Sequence, residues 1–205
     1  MLWSIIPKKI GSRSNCKAIY IEHSVGLEIH DQRSAFLIQI FAVNNVKIIK
    51  IPSVLDEFID SVLLKFQKRY PDYDVIVELP DDFVSIPMDA MLVEQVVINI
   101  LENAVQHAHG MTQLSLKVFT IADKAIFEIR DNGCGIEPER LKVIFQGYYH
   151  EDHVPSDSRR SNAGIGLSVC SAIIRAHGGD IQAQNRKSGG ALFRFTLDME
   201  DATDE

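Results

Sequence analysis

Cysteine is scarce here: three among 205 residues, Cys16, Cys134 and Cys170, with no metal-ligand or redox spacing between them. That argues against a disulfide framework, a structural zinc or dithiol chemistry, and points to reduced thiols in a cytosolic setting. Long apolar runs are missing too. The longest, Ala35 to Val43, is broken by Gln39 and falls short of the roughly 18–20 residues of a membrane span. The start, Met1 to Lys9, places its charges after the apolar part, the reverse of a signal peptide. Positive charge is also in deficit, 21 Lys and Arg against 28 Asp and Glu for a net −7. This argues against broad binding to nucleic acid or to an anionic membrane surface. Arg159 and Arg160 make a local basic spot and no stripe. Repeats and low-complexity tracts are absent. What remains is a composition usual for a soluble globular protein, 46% hydrophobic and 24% charged, long enough for one domain with a core and a short extension.

Residues 1–47 carry no clear periodicity. From Lys47 onward the pattern sharpens. Lys47 to Ile51 alternates weakly and is expected as a strand. Ser53 is then expected to cap a helix whose stripe is Val54, Leu55, Phe58, Val62 and Phe66, ended by Pro71. Val75 to Leu79 and Phe83 to Ile86 read as strands. Asp89 is expected to cap a long helix ending near Gly110. Leu114 to Phe119 and Ala125 to Arg130 form a hairpin turning at Asp123-Lys124. Pro138 to Phe145 reads as a short helix with Pro at its start. Residues 147–161 are polar and irregular and are expected as a lid. A helix from Gly164 to His177, then strands Ile181 to Ala183 and Leu192 to Leu197, complete the chain before an acidic tail at 200–205. This order predicts an α/β fold, a two-layer sandwich of a mixed β-sheet and about three helices.

The long central helix holds the most informative residues. Val93, Val96, Val97, Ile100, Leu101 and Ala104 recur at three- and four-residue steps and form one buried face. Asn99 and Asn103 are one turn apart on another face. Asparagine is a mediocre helix former whose amide needs partners, so the pair suggests a polar ligand; alone, it equally fits two satisfied buried amides. Three glycine segments follow: Asp131-Asn132-Gly133-Cys134-Gly135-Ile136 after a strand, Asn162-Ala163-Gly164-Ile165-Gly166-Leu167 opening a helix, and Gly189-Gly190 before the last strand. Each alone is an ordinary turn. Their order after the asparagine helix is the specific signal.

At this point the chain resembles the catalytic, ATP-binding domain of sensor histidine kinases, over roughly residues 48–199. The asparagine helix matches the N box, Asp131 to Ile136 the G1 box, Asn162 to Leu167 the G2 box, and Ile144 to Tyr148 the F box. The run from Glu94 to Gly110, with His177-Gly178-Gly179, looks nearest the KdpD-type sensor kinases. The resemblance implies the Bergerat-type ATP-binding fold shared with gyrase and MutL. It implies ATP between the helix layer and the lid, with magnesium as cofactor. Asn103 would hold Mg2+ through its amide oxygen, a hard ligand of the kind magnesium takes. Asp131 would accept from the adenine amino group, which a carboxylate can do and a guanine carbonyl cannot satisfy. Gly133, Gly135 and Ile136 would line the base and ribose. Gly164, Ile165, Gly166 and Leu167 would approach the phosphates at a helix N-terminus. His107 would stand near the phosphates. His109, His150 and His153 have no such alignment and read as surface residues.

Asn99 discriminates between activities. ATP hydrolases of this fold carry a glutamate one turn before the magnesium asparagine, as general base for water. Asparagine cannot take a proton, so Asn99 points to a kinase that spares the γ-phosphate for another acceptor. Glu102, beside Asn103, would be the substitute base or a solvent-facing residue. Three positions depart from the usual family pattern: Asn162 for glycine, Gln106 for a basic residue and Gly147 for proline. The phosphoacceptor is expected elsewhere. Ile29 to Ala35, around His30, faintly resembles that box, but only about twenty residues separate it from the catalytic domain, whereas each helix of a hairpin about 30 Å long needs roughly 20. The partners implied are ATP, a histidine-bearing dimerisation domain and a response regulator. The competing reading is an ATP-gated, partner-binding module of anti-sigma type.

Overall fold

Helical spacing and two-residue alternation sort the residues of the computed structural model into two layers. It describes residues 48–146 and 165–200. Cys16 and His30, the expected lid with Asn162 and Gly164, and the tail beyond 200 lie outside the described residues. The elements are β1 (Ile51–Val54), α1 (Leu55–Arg69), β2 (Val75–Glu78), β3 (Ser85–Met88), α2 (Ala90–His107), β4 (Leu114–Ile121), β5 (Lys124–Asp131), α3 (Pro138–Leu141), α4 (Ile165–Ala176), β6 (Ile181–Asn185) and β7 (Ala191–Asp198). Five strands form one sheet in the order β2-β4-β5-β7-β6. The β2–β4 pairing is parallel and the others are antiparallel, so the sheet is mixed. The long helices α1, α2 and α4 and the short α3 complete the expected α/β arrangement.

Alternation sets which side chains meet. Ala125, Phe127, Ile129 and Asp131 are the alternate buried positions of β5, and Phe193, Phe195 and Leu197 those of β7. Phe127 and Phe195 are register partners. Their rings stack with centroids 4.5 Å apart and planes 8° from parallel. The opposite face of the sheet is charged: Glu128 is buried, pairs with Arg130 two residues along and with Arg194 directly across in register. Burial alone would raise the Glu128 pKa, but the two guanidiniums outweigh it and hold the carboxyl below its usual range.

The helix layer covers the apolar face. On α1, Leu55, Phe58, Ile59, Val62 and Phe66 are buried, with Asp56 and Glu57 in the first turn and Lys68 and Arg69 in the last, the signs that favour each helix end. On α2 the buried set includes Val93, Val96, Val97, Ile100, Leu101 and Ala104, as the periodicity requires. Asp89 caps α2 as expected, its Oδ1 accepting from the Leu92 N–H at 3.3 Å.

Some boundaries differ. Ser53 does not cap α1. It lies in β1, its hydroxyl donates to the Ile51 carbonyl at 3.0 Å, and the N-cap is Val54. The expected strand at Phe83 to Ile86 is displaced to Ser85–Met88, where it pairs antiparallel with β1 as a separate two-stranded ribbon. The hairpin turns at Ala122-Asp123, with Ala122 at φ 52°. The helix expected over 138–145 ends at Leu141 and continues as turns.

Candidate functional site

The last residue of β5, the last two turns of α2, the start of α4 and the segment around α3 enclose an open cavity of about 280 Å³. Of the residues singled out from sequence, Asn103, His107, Asp131, Gly135, Ile136 and Leu167 line it together. They come from segments up to 64 positions apart, Leu167 being the last and Asn103 the first.

Asp131 is there because of strand parity. It continues the series 125, 127, 129, and so faces the helix layer at the point where the apolar core gives way to the cavity. It is 4% exposed. Its Oδ1 accepts from the Gly133 N–H at 2.9 Å and from the Ala191 N–H at 3.2 Å. Two backbone donors on one oxygen fix the carboxylate plane and leave Oδ2 as the acceptor for a ligand. Gly133 does not line the cavity. A Cβ there would lie 2.7 Å from the carbonyl oxygen of Ala108. The close approach of the loop to the end of α2 therefore requires glycine at this position.

Asn103 has an orientation fixed by chemistry. Its Nδ2 donates to the Asn99 carbonyl at 2.7 Å. A carbonyl can only accept, so the nitrogen must face it and the amide oxygen is the atom available to a ligand. Asn99 behaves differently. Its side chain does not line the cavity: Oδ1 accepts from Gln95 Nε2 at 2.7 Å, and Nδ2 approaches Cys170 Sγ at 3.7 Å in the α2–α4 interface. Cys170 is fully buried and its thiol is pushed up to about 12 by that burial. Glu102 is neither a base at the cavity nor solvent-facing. It is 7% exposed and pairs with Arg69 of α1.

His107 lines the wall one turn beyond Asn103, as expected. Desolvation first, then the Arg140 cation and His109, lower its pKa from the usual histidine value. Sequence reasoning missed His109, Cys134, Arg140 and Phe193, which also line the cavity. Phe193 could have been found by parity with Phe195. Ile144 lines the wall and Phe145 meets Phe193 edge-on at 6.4 Å, so the segment identified as the F box closes this end of the cavity. Gly166 and Ile165 stand in the first turn of α4.

His177 ties the helix layer together. Its Nδ1 bonds the Ile173 carbonyl at 2.8 Å, so Nδ1 carries the proton, and Nε2 accepts the Asp89 N–H at 3.1 Å. The ring is 1% exposed and neutral, its pKa lowered by burial. The end of α4 thereby braces the start of α2.

Comparison with known proteins fits this geometry. Residues 88–201 match the family of histidine kinase-, DNA gyrase B-, and HSP90-like ATPases. The chain is 36% identical over 160 residues to the sensor protein KdpD of Clostridium acetobutylicum, covering 78% of this chain and 18% of that one. It is 33% identical over 178 residues to the adaptive-response sensory kinase SasA of Trichormus variabilis, covering 82% and 42%. The chain thus spans under a fifth of this KdpD and under half of SasA. Among solved structures, the fold resembles Acinetobacter baumannii histidine kinase AdeS, with TM-score 0.63 at 23% identity, covering 82% of this chain and 76% of that one. It also resembles the catalytic domain of histidine kinase ThkA, with TM-score 0.60 at 23% identity, covering 73% and 95%. These relatives do not favour the anti-sigma-type reading. No helix among the described residues is long and apolar enough to cross a membrane. The chain belongs to the histidine kinase-, DNA gyrase B- and HSP90-like ATPase family and is homologous to the sensor kinases KdpD and SasA.

Proposed function

We propose that this chain is the ATP-binding catalytic domain of a two-component sensor histidine kinase, spanning residues 48–199. It transfers the γ-phosphate of Mg-ATP to a histidine on a dimerisation domain, and a response regulator receives it downstream. One of the fold's neighbours is ThkA in complex with response regulator protein TrrA, which motivates the last partner. A cytoplasmic location follows from that role.

The observation that carries the reading is the convergence of Asn103, His107, Asp131 and Leu167 on one cavity. Asp131 Oδ2 accepts the adenine amino group. Gly135 and Ile136 border the base and ribose, and His107 and the first turn of α4 with Leu167, after Gly164, lie toward the phosphates. A Cβ at Gly166 would meet no atom of the described residues within 4 Å. Packing among the described residues therefore does not require that glycine, whereas close approach of a phosphate would. The residues fit magnesium as well. Asn103 offers one oriented hard oxygen, and magnesium takes most of its shell from phosphate and water; when bound, it would neutralise charge on the transferring phosphoryl group.

This chain's contribution to the chemistry is position and exclusion. In-line phosphoryl transfer depends on alignment and electrostatics more than on covalent help from the protein. Asn99 is an amide turned toward Cys170, so no side chain on that turn of α2 activates water. The γ-phosphate is kept for a histidine acceptor. The test supplies γ-labelled Mg-ATP, this chain and a separate dimerisation domain from a KdpD relative. Acid-labile label on that domain, dependent on this chain, is expected. Its absence, with ATP binding intact, would refute histidine kinase activity.

A further inference from the structure

α2 contains no lysine or arginine along its whole length, Ala90 to His107. The wall beside Asn103 therefore offers no fixed cation to an anionic ligand. Among the described residues lining the cavity, the one Lys or Arg is Arg140, in α3 on the wall that faces α2. Arg140 forms no ion pair or hydrogen bond through its guanidinium with any described residue, although Glu139 precedes it on the same short helix and Glu137 is that helix's N-cap. An arginine with acidic neighbours and no guanidinium partner among the described residues, bordering a cavity, is a donor set available to a ligand.

We propose that Arg140 is the cationic partner of the phosphate chain of a nucleotide held in this cavity, reaching across from α3 to the end of α2 that carries His107. The inference rests on the nucleotide reading above and adds the group that recognises phosphate. Asp131 carries the base-recognising acceptor and is anionic, so it cannot serve that role. Desolvation first and then Arg140 lower the His107 pKa, which leaves that imidazole a weak anchor for phosphate and places the arginine's positive field at that end of the cavity. The planar guanidinium offers two parallel N–H groups to phosphate oxygens, which an ammonium or imidazole does not. Glu137, also on the lining, disfavours phosphate beside it and biases the chain toward the Arg140 side.

The experiment titrates adenosine, AMP and ADP, with Mg2+ present, into the parent chain, Arg140→Ala and Arg140→Lys, following heat of binding. Because Arg140 is exposed, melting temperatures of the three proteins should agree. ADP affinity should fall roughly tenfold or more in Arg140→Ala, adenosine should bind all three alike, and Arg140→Lys should recover part of the loss. The ADP difference between parent and Arg140→Ala should narrow at high salt. Unchanged ADP affinity in Arg140→Ala, or an equal loss for adenosine, would overturn the phosphate role while leaving the nucleotide reading standing. Failure of the parent chain to bind either adenosine or ADP would refute that reading itself, and this inference with it.

Discussion

Replacing Asp131 by asparagine perturbs recognition of the base while leaving the fold nearly intact. The two backbone donors on Oδ1, from Gly133 at 2.9 Å and Ala191 at 3.2 Å, can be met equally by an amide oxygen. Those donors then force the amide nitrogen into the place of Oδ2. A donor now faces the adenine amino group, itself a donor. The lost hydrogen bond to a charged acceptor is worth about 1.5–3 kcal/mol, or roughly tenfold to a hundredfold in affinity. Stability should fall by only ~1 kcal/mol, because two charge-assisted bonds become neutral ones. The same inversion suits the carbonyl of guanine, so the preference for ATP over GTP should narrow. Calorimetric titration of ATP and GTP into parent and variant, with melting temperatures as a folding control, reads all three effects. Unchanged ATP affinity in a folded Asp131→Asn protein would remove Asp131 from the site.

Asn103→Ala should abolish the magnesium-dependent part of ATP binding while the helix survives, since alanine is the better helix former; equal Mg-ATP affinity in parent and variant would refute its role as ligand. Cys134 is exposed on the cavity lining, and Cys170 is buried with its thiol pushed up to about 12. In a Cys16→Ser background, a thiol reagent should therefore label Cys134 alone, and Mg-ADP should slow that labelling several-fold; labelling indifferent to nucleotide would place the ligand elsewhere. His177 is held neutral with a lowered pKa. Above pH ~6.5 folded and unfolded chains are both neutral there and its full contribution is present. As pH falls below that value only the unfolded chain takes up the proton, so stability drops toward the lower folded pKa. The fall in melting temperature from pH 7.5 to 5.5 should be smaller in His177→Gln than in the parent, and an identical fall would contradict this. Gly190→Ala should destabilise by at least ~2 kcal/mol, read as a drop in melting temperature of several degrees, because its φ is 81° and a Cβ would lie 2.2 Å from the Asp131 carbonyl oxygen.

Much of the architecture was legible because two periodicities carry it. The α2 stripe from Val93 to Ala104 and the β5 series ending at Asp131 could be read directly, and together they place the floor and one wall of the cavity. Errors arose where a tertiary partner outweighs a local signal. Ser53 has the chemistry of a helix cap, yet pairing of β1 with β3 keeps it in a strand and moves the α1 start to Leu55. The same pairing draws β3 two residues past its expected position. Asn99 and Asn103 share spacing and residue type. Their difference comes from Gln95, one turn before Asn99, which holds its Oδ1, and from α4, where Cys170, 71 positions away, faces its Nδ2. Arg140 was invisible for a related reason. A charged residue on a short helix reads as solvated surface until the opposite wall, here the cation-free α2, is in place.

The most direct test of the account is a time course of the chain alone with γ-labelled Mg-ATP, following released phosphate and acid-labile label together. An amide at Asn99, turned toward Gln95 and Cys170, leaves water without a base on that turn of α2, and the phosphoacceptor is expected on a separate dimerisation domain. The account predicts bound ATP that stays intact over many minutes, with little free phosphate and little self-labelling. Sustained, multiple-turnover phosphate release would contradict it and identify the chain as an ATP hydrolase of this family.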